Sequence, residues 1–205
     1  MFANNPYAQG GWHNPQNSQS INHTPWPPHS SHPPTYGALP VPNDGPASTT
    51  EYRFTDLDPN ILTCVLSTRD GRRLLNIRTF NGITVITNLT TGANFARIDW
   101  TTVPSMVEAT GCITHQAIGD FLRPSYSEEG SFRSMTIDRR SYAWVPLAGA
   151  NEIYLRVNAT GGAPWVAKIS PSGNGGIVLE IANNGGLFNH CVIAAVLLCS
   201  GWPLV

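Results

Sequence analysis

Residues 190–205 read HCVIAAVLLCSGWPLV, and no other part of the chain is so apolar. The stretch is either a membrane tail anchor or a helix hidden inside a folded domain, and the choice decides the fold. A span needs about 20 apolar residues to cross roughly 30 Å of hydrocarbon. The uninterrupted run here is Cys191 to Cys199, preceded by Asn189 and His190 and broken by Ser200-Gly201-Trp202-Pro203. Even a helix from Leu187 to Cys199 would rise only about 20 Å at roughly 1.5 Å per residue. No Lys or Arg follows Lys168, so the flanking charge of an anchor is missing as well. Such a helix is apolar on all sides and must be buried on all sides. A closed antiparallel β-barrel with the helix through its centre would supply that environment.

The preceding residues fit a barrel. From Glu51 onward, short apolar runs alternate with turn chemistry. Strands are expected near 61–67, 73–79, 83–88, 94–100, 106–113, 132–137, 141–145, 152–157, 165–170 and 177–181. Asp70-Gly71, Asn81-Gly82 and Thr91-Gly92 mark hairpins between the first four. Alternation is plain in ITVIT at 83–87 and in FRSMTI at 132–137, so each such strand should bury one face. Strand spacing near ten residues with tight turns points to an antiparallel barrel or sandwich, and the all-round apolar helix favours a barrel of about ten to twelve strands. One interruption, THQAIGDFL at 114–122, reads as a short helix near 115–122 with Thr114 as its N-cap and Pro124 beyond its end.

Residues 1–50 have different physics. They hold ten of the seventeen prolines and four of the six histidines, no Lys or Arg, and Asp44 as their sole charge. A segment so poor in apolar periodicity cannot bury enough surface to offset chain entropy, so a disordered Pro/Asn/Gln/Ser-rich tail is expected. Within it, Pro33-Pro34-Thr35-Tyr36 is a PPxY element. Paired prolines hold polyproline II, the conformation that WW domains accept, and Tyr36 would anchor beyond them. The expected partner of Pro33, Pro34 and Tyr36 is therefore a WW-domain protein, with a ubiquitin ligase as one form of it.

Formal net charge is −1, with eleven Arg and one Lys. The basic footprint of a nucleic-acid binder is absent. No basic n-region or apolar h-region opens the chain, so a cytoplasmic location is expected, with the four cysteines as free thiols.

YRFTDLDPNILTCVL at 52–66, RSMTIDRRSYAWVP at 133–146 and CVIAAVLLCSG at 191–201 resemble a basidiomycete-type fungal family that carries a domain-of-unknown-function label. The resemblance covers about Tyr52 to Gly201. That family in turn looks like the tubby C-terminal and phospholipid-scramblase type of fold, an antiparallel barrel around a hydrophobic C-terminal helix. It implies the same architecture and suggests a barrel behind a PPxY-bearing tail. The polybasic segment, palmitoylation cluster and acidic calcium loop that would go with lipid transport are not in this sequence.

Chemistry candidates are few. Arg72-Arg73 and Arg139-Arg140 each follow an Asp near an expected hairpin tip. They are either ordinary solvated turn charge or a grip on anionic phospholipid head groups, as in tubby-like barrels, which would make the protein peripheral at membranes. Cys112-x-x-His115 and His190-Cys191 could be drawn into a metal site or a Cys–His dyad, but no spacing supplies a third group. Asp56 and Asp58 lack the glycine and distal glutamate of a calcium loop. No P-loop, GxGxxG, GxSxG or HExxH motif occurs. The expectation is a non-enzymatic binding or adaptor module with no cofactor, no metal, no catalytic residue and no transmembrane span.

Overall fold

The computed structural model describes residue 46 and residues 48–127, 130–157, 165–183 and 186–204. The chain divides into two units, and every described residue belongs to the second, Asn43–Val205. Pro33, Pro34 and Tyr36 lie outside the described residues.

Period-two alternation builds a single antiparallel sheet. Ile77, Ile86 and Ile98 are fully buried, and Ile77 pairs with Ile86, which pairs with Ala96. Their strand neighbours on the opposite face are half-buried or exposed. The first seven strands are β1 (Thr49–Thr55), β2 (Cys64–Thr68), β3 (Arg73–Phe80), β4 (Ile83–Asn88), β5 (Asn94–Asp99), β6 (Met106–Ala109) and β7 (Ile113–Ala117). A one-turn helix, α1 (Ile118–Phe121), follows. Six more strands complete the sheet: β8 (Arg123–Ser127), β9 (Gly130–Ile137), β10 (Arg140–Pro146), β11 (Ile153–Val157), β12 (Trp165–Pro171) and β13 (Ile177–Ala182). The last element is α2 (Phe188–Leu198).

The thirteen described strands run in the order β7-β6-β5-β4-β3-β2-β1-β13-β12-β11-β10-β9-β8. Two meanders are therefore joined where β1 pairs with β13, with Tyr52 opposite Leu179. The two edge strands, β7 and β8, are consecutive in the chain.

Residues 191–197 of α2 are all at most 1 % exposed. Seven consecutive helical residues cover every side of a helix, so the sheet must surround it. That confirms the mainly β architecture and the hidden C-terminal helix. Among the described residues, no helix is long and apolar enough to cross a membrane.

The closed barrel needs correction. No ladder joins β7 to β8, so the sheet is open along one seam. There α1 packs against β6, β7, β8 and β9 in place of backbone pairing. Arg133 secures the region by donating through Nη1 to the carbonyls of Leu122, at 3.2 Å, and Leu204, at 3.0 Å. A polar cavity of about 240 Å³ lies at the seam, lined by Gln116, Asp120, Arg123, Ser134, Thr136 and Ser141 among others.

Other boundaries move for local reasons. The run expected as one strand over 106–113 is β6, a turn and β7, because Gly111 takes φ +76° and reverses the chain. The helix expected over 115–122 shrinks to Ile118–Phe121. Thr114 is exposed within β7 and caps nothing, since Met106 pairs with Ala117 and the ladder extends through the supposed first turn. β8 contains Pro124, which reads in sequence as a helix stop. An edge strand tolerates proline because its missing N–H can face away from the ladder.

Buried polar groups beside the core are joined in a chain. Thr84 is fully buried, and its Oγ1 accepts from the Trp100 indole at 2.8 Å and lies 2.6 Å from Thr79 Oγ1. Thr79 Oγ1 in turn donates to the Leu62 carbonyl at 2.8 Å. Thr84→Val keeps the shape and removes the acceptor. A loss of about 2 kcal/mol is expected from urea unfolding, because a buried indole N–H is left unpaired.

Candidate interaction surfaces

Connections in an antiparallel meander alternate between the two ends of the sheet. At one end turn β2–β3, β4–β5, β6–β7 and β9–β10, and β13 leads into α2 there. This entry end is tied to the helix start, since His190 Nε2 lies 3.3 Å from the Cys112 carbonyl in the β6–β7 turn. At the opposite, exit end turn β1–β2, β3–β4, β5–β6, β8–β9, β10–β11 and β12–β13, and α2 finishes. Contacts across the exit end agree: the Trp100 N–H donates to the Gly82 carbonyl at 2.9 Å, and the Trp100 and Trp202 rings lie 5.4 Å apart.

Arg72, Arg73, Arg139 and Arg140 are all exposed and all at the entry end. They do not converge. The β2–β3 and β9–β10 turns are separated in the sheet by β1, β13, β12 and β11. Arg73 already pairs with Asp56 at 3.3 Å. At the first tip Thr68 Oγ1 donates to Asp70, a bond that holds the Asp70 carboxyl below its usual range.

The second tip is strained. Asp138 and Arg139 both have positive φ, +48° and +64°, the geometry that Asn81 and Gly82 adopt with +49° and +72° in the β3–β4 turn. Asn-Gly suits such a turn, whereas arginine in the left-handed region is disfavoured. Arg139→Gly is therefore expected to raise stability by about 1 kcal/mol in thermal or urea unfolding, while removing a charge from the tip.

The cysteine–histidine pairs do not assemble. His115 faces Glu108 at 3.3 Å on the outer surface, and Cys112 sits in the preceding turn. Burial pushes the Cys64 thiol up to about 12, with Asp56 adding to it, and pushes Cys199 up to about 11. It raises Cys112 and Cys191 as well, so none of the four is an activated thiolate. Among the described residues, no three of His, Cys, Asp and Glu converge as a metal would require. A concavity of about 420 Å³ forms an open trough on the β4–β7 side, lined by Phe95, Arg97, Glu108, Ile113 and His115 among others.

The feature that sequence reasoning missed is apolar. Six large apolar residues are exposed among the described residues: Phe80, Leu89, Val103, Tyr126, Leu147 and Trp202. All but Leu89 lie at the exit end, on or beside the β3–β4, β5–β6, β8–β9 and β10–β11 connections and on the C-terminal residues. Phe80 is 78 % exposed, Val103 100 % and Tyr126 82 %. Single exposed apolar residues are ordinary; their collection on neighbouring turns of one end is an interaction signature.

No family model matches the chain, and no curated protein matches it. Among solved structures, the X-ray structure of a protein from Arabidopsis thaliana is similar to 76 % of this chain and 91 % of its own length. The two share 11 % sequence identity, with a TM-score of 0.43.

Proposed function

We propose that the protein is a non-enzymatic binding or adaptor module, a tubby-like barrel of the fungal family that its sequence resembles. It works in the cytoplasm and recruits a WW-domain protein through Pro33, Pro34 and Tyr36. The observation that carries the reading is the row of exposed apolar side chains on the exit-end turns, opposite the arginine-bearing turns. A surface of that kind serves docking, and the barrel interior is filled by α2.

A ubiquitin ligase is the WW partner that fits the composition. Lys168 is the chain's sole lysine, and its Nζ lies 2.6 Å from Glu180 Oε1 and 5.8 Å from the Trp165 ring centroid. A recruited ligase would therefore find little to modify on the adaptor and would act on whatever the barrel holds. The test is capture of full-length protein by a panel of WW domains beside Tyr36→Ala. At least about a tenfold loss of affinity is expected, as for a truncated anchor residue. Equal capture by both chains would remove the WW half of the proposal.

A second reading, peripheral binding to anionic phospholipid head groups, is favoured by the exposure of Arg72, Arg73, Arg139 and Arg140 on two separate turns of the same end and by the strain accepted at Arg139. Phosphoinositide liposomes decide it. Charge reversal at all four positions should abolish co-sedimentation, and unchanged sedimentation would dismiss it.

A further inference from the structure

We propose that the segment after α2, Ser200–Leu204, is a clasp across the open seam. Its release lets β7, α1 and β8 open as one unit while the rest of the sheet and α2 stay folded.

The seam has little of its own to hold it. Among the described residues, β7 forms a ladder with β6 alone, with a register shift between Val107 and Ala109, and β8 forms one with β9 alone. β7 contributes Ile113 as its one buried residue and β8 contributes none. Between them, the single turn of α1 has no side-chain cap hydrogen bond and buries Ile118 and Phe121. A region with one-sided pairing and few buried side chains opens more readily than a core strand.

The segment after α2 touches both sides of this seam. Gly201, at φ +75°, turns the chain off the end of the helix. The Ser200 hydroxyl accepts from the Trp202 N–H at 3.1 Å and donates to the Leu197 carbonyl at 2.8 Å, which roots the segment on α2. The Trp202 ring then lies 5.4 Å from that of Trp100, which directly follows β5, two strands inside the β7 edge. Two residues further on, the Leu204 carbonyl accepts from Arg133 Nη1 at 3.0 Å. Arg133 is on β9, one strand inside the β8 edge, and the same Nη1 donates to the Leu122 carbonyl between α1 and β8 at 3.2 Å. Leu204 is itself 9 % exposed and packs with the core. One short segment therefore ties the β5 side to the β9 side where no ladder does.

The tie depends on few contacts: one aromatic pair at one end, and a charge-assisted hydrogen bond with a single buried leucine at the other. Withdrawal of either end leaves the seam to α1. Opening there bares the outer edges of β7 and β8, the kind of surface to which an extended polypeptide adds as a strand.

Amide hydrogen exchange on the full chain tests the clasp. The deciding variant is Trp202→Ala, because Trp202 is 45 % exposed and its ring contact is with Trp100, on the far side of the seam from β8. Exchange over residues 113–127 is expected to speed up by about tenfold or more, with β3, β12 and α2 unchanged within about twofold. Arg133→Met should accelerate the same residues from the other end. The double variant should exchange there no faster than the faster single variant, since a clasp released at one end is already released. Thr84→Val, which weakens the core elsewhere, should not single out these residues. If Arg133→Met does not melt cooperatively, Trp202→Ala decides alone. Unchanged exchange over 113–127 in Trp202→Ala, or an equal rise throughout the sheet, overturns the inference. Rates that multiply in the double variant overturn it as well, because two independent stabilising contacts would then replace one clasp.

Discussion

A chain ending at Gly186 is expected to be unfolded, with no cooperative thermal transition and with amide exchange as fast as in an unstructured peptide. Deletion removes α2 entirely, and Cys191 through Leu197 contribute seven of the most buried residues in the protein. Val192, Ile193, Val196 and Leu197 alone bury side chains worth about 1.5–3 kcal/mol each, which together rival a domain's whole stability of roughly 5–15 kcal/mol. The inward faces of the strands would meet water instead of the helix, and an open-seamed sheet has no other way to cover them. The milder Ile193→Ala should cost about 2–5 kcal/mol in urea unfolding and leave a folded protein. A stable, cooperatively melting domain from the truncated chain would show that α2 is not the core.

Trp144 should be the most sensitive single position in the sheet. It is 1 % exposed on β10, opposite Leu155 of β11 and Arg133 of β9. Trp144→Ala is expected to cost about 3–5 kcal/mol, the range for emptying a large aromatic site. Among the described residues its buried indole N–H has no hydrogen-bond partner, unlike that of Trp100. Trp144→Phe removes this orphaned donor while retaining a ring, so about 1–3 kcal/mol of relieved desolvation offsets much of the lost packing. The expected result is a wide gap between the two variants in urea midpoint, with Phe close to the parent protein. The opposite behaviour is expected at Trp100, where replacement by Phe removes a satisfied donor and leaves the buried Thr84 hydroxyl with its bond to Thr79, so no relief of desolvation offsets the lost packing.

These two positions also show which parts of the fold could be read from residues alone. The core helix was legible because a nine-residue apolar run is too short for a bilayer and too apolar for a surface. Strands β3, β4, β10, β12 and β13 were legible because alternation and tight turns are local properties. Asn81-Gly82 announced its hairpin through positive φ, which any sequence window contains. β7 and β8 were not legible. THQA at 114–117 has helical neighbours and Pro124 looks like a terminator, yet pairing with β6 and β9 holds both segments extended. That competition is settled by partners distant in sequence, which local propensity does not register.

The candidate surfaces divide in the same way. The arginine pairs were visible as charge beside turn residues, but whether they meet depends on the strand order, which sets four strands between the two tips. The apolar exit end was invisible, because Phe80, Val103, Tyr126, Leu147 and Trp202 are spread over more than half the length of the folded unit. In a sequence, each is one apolar residue in a β-rich domain, where core packing is the natural assignment. Only the alternation of connections between two ends gathers them.

The sequence by itself determined the antiparallel β class, the buried C-terminal helix, the distinct N-terminal composition and the PPxY element, since each follows from composition or short-range periodicity. The tertiary structure decided the open seam at β7 and β8, the separation of the arginine turns and the exposed apolar residues of the exit end. The reason is that edges, ends and neighbourhoods are properties of strand order, and strand order is set by long-range pairing such as that of β1 with β13.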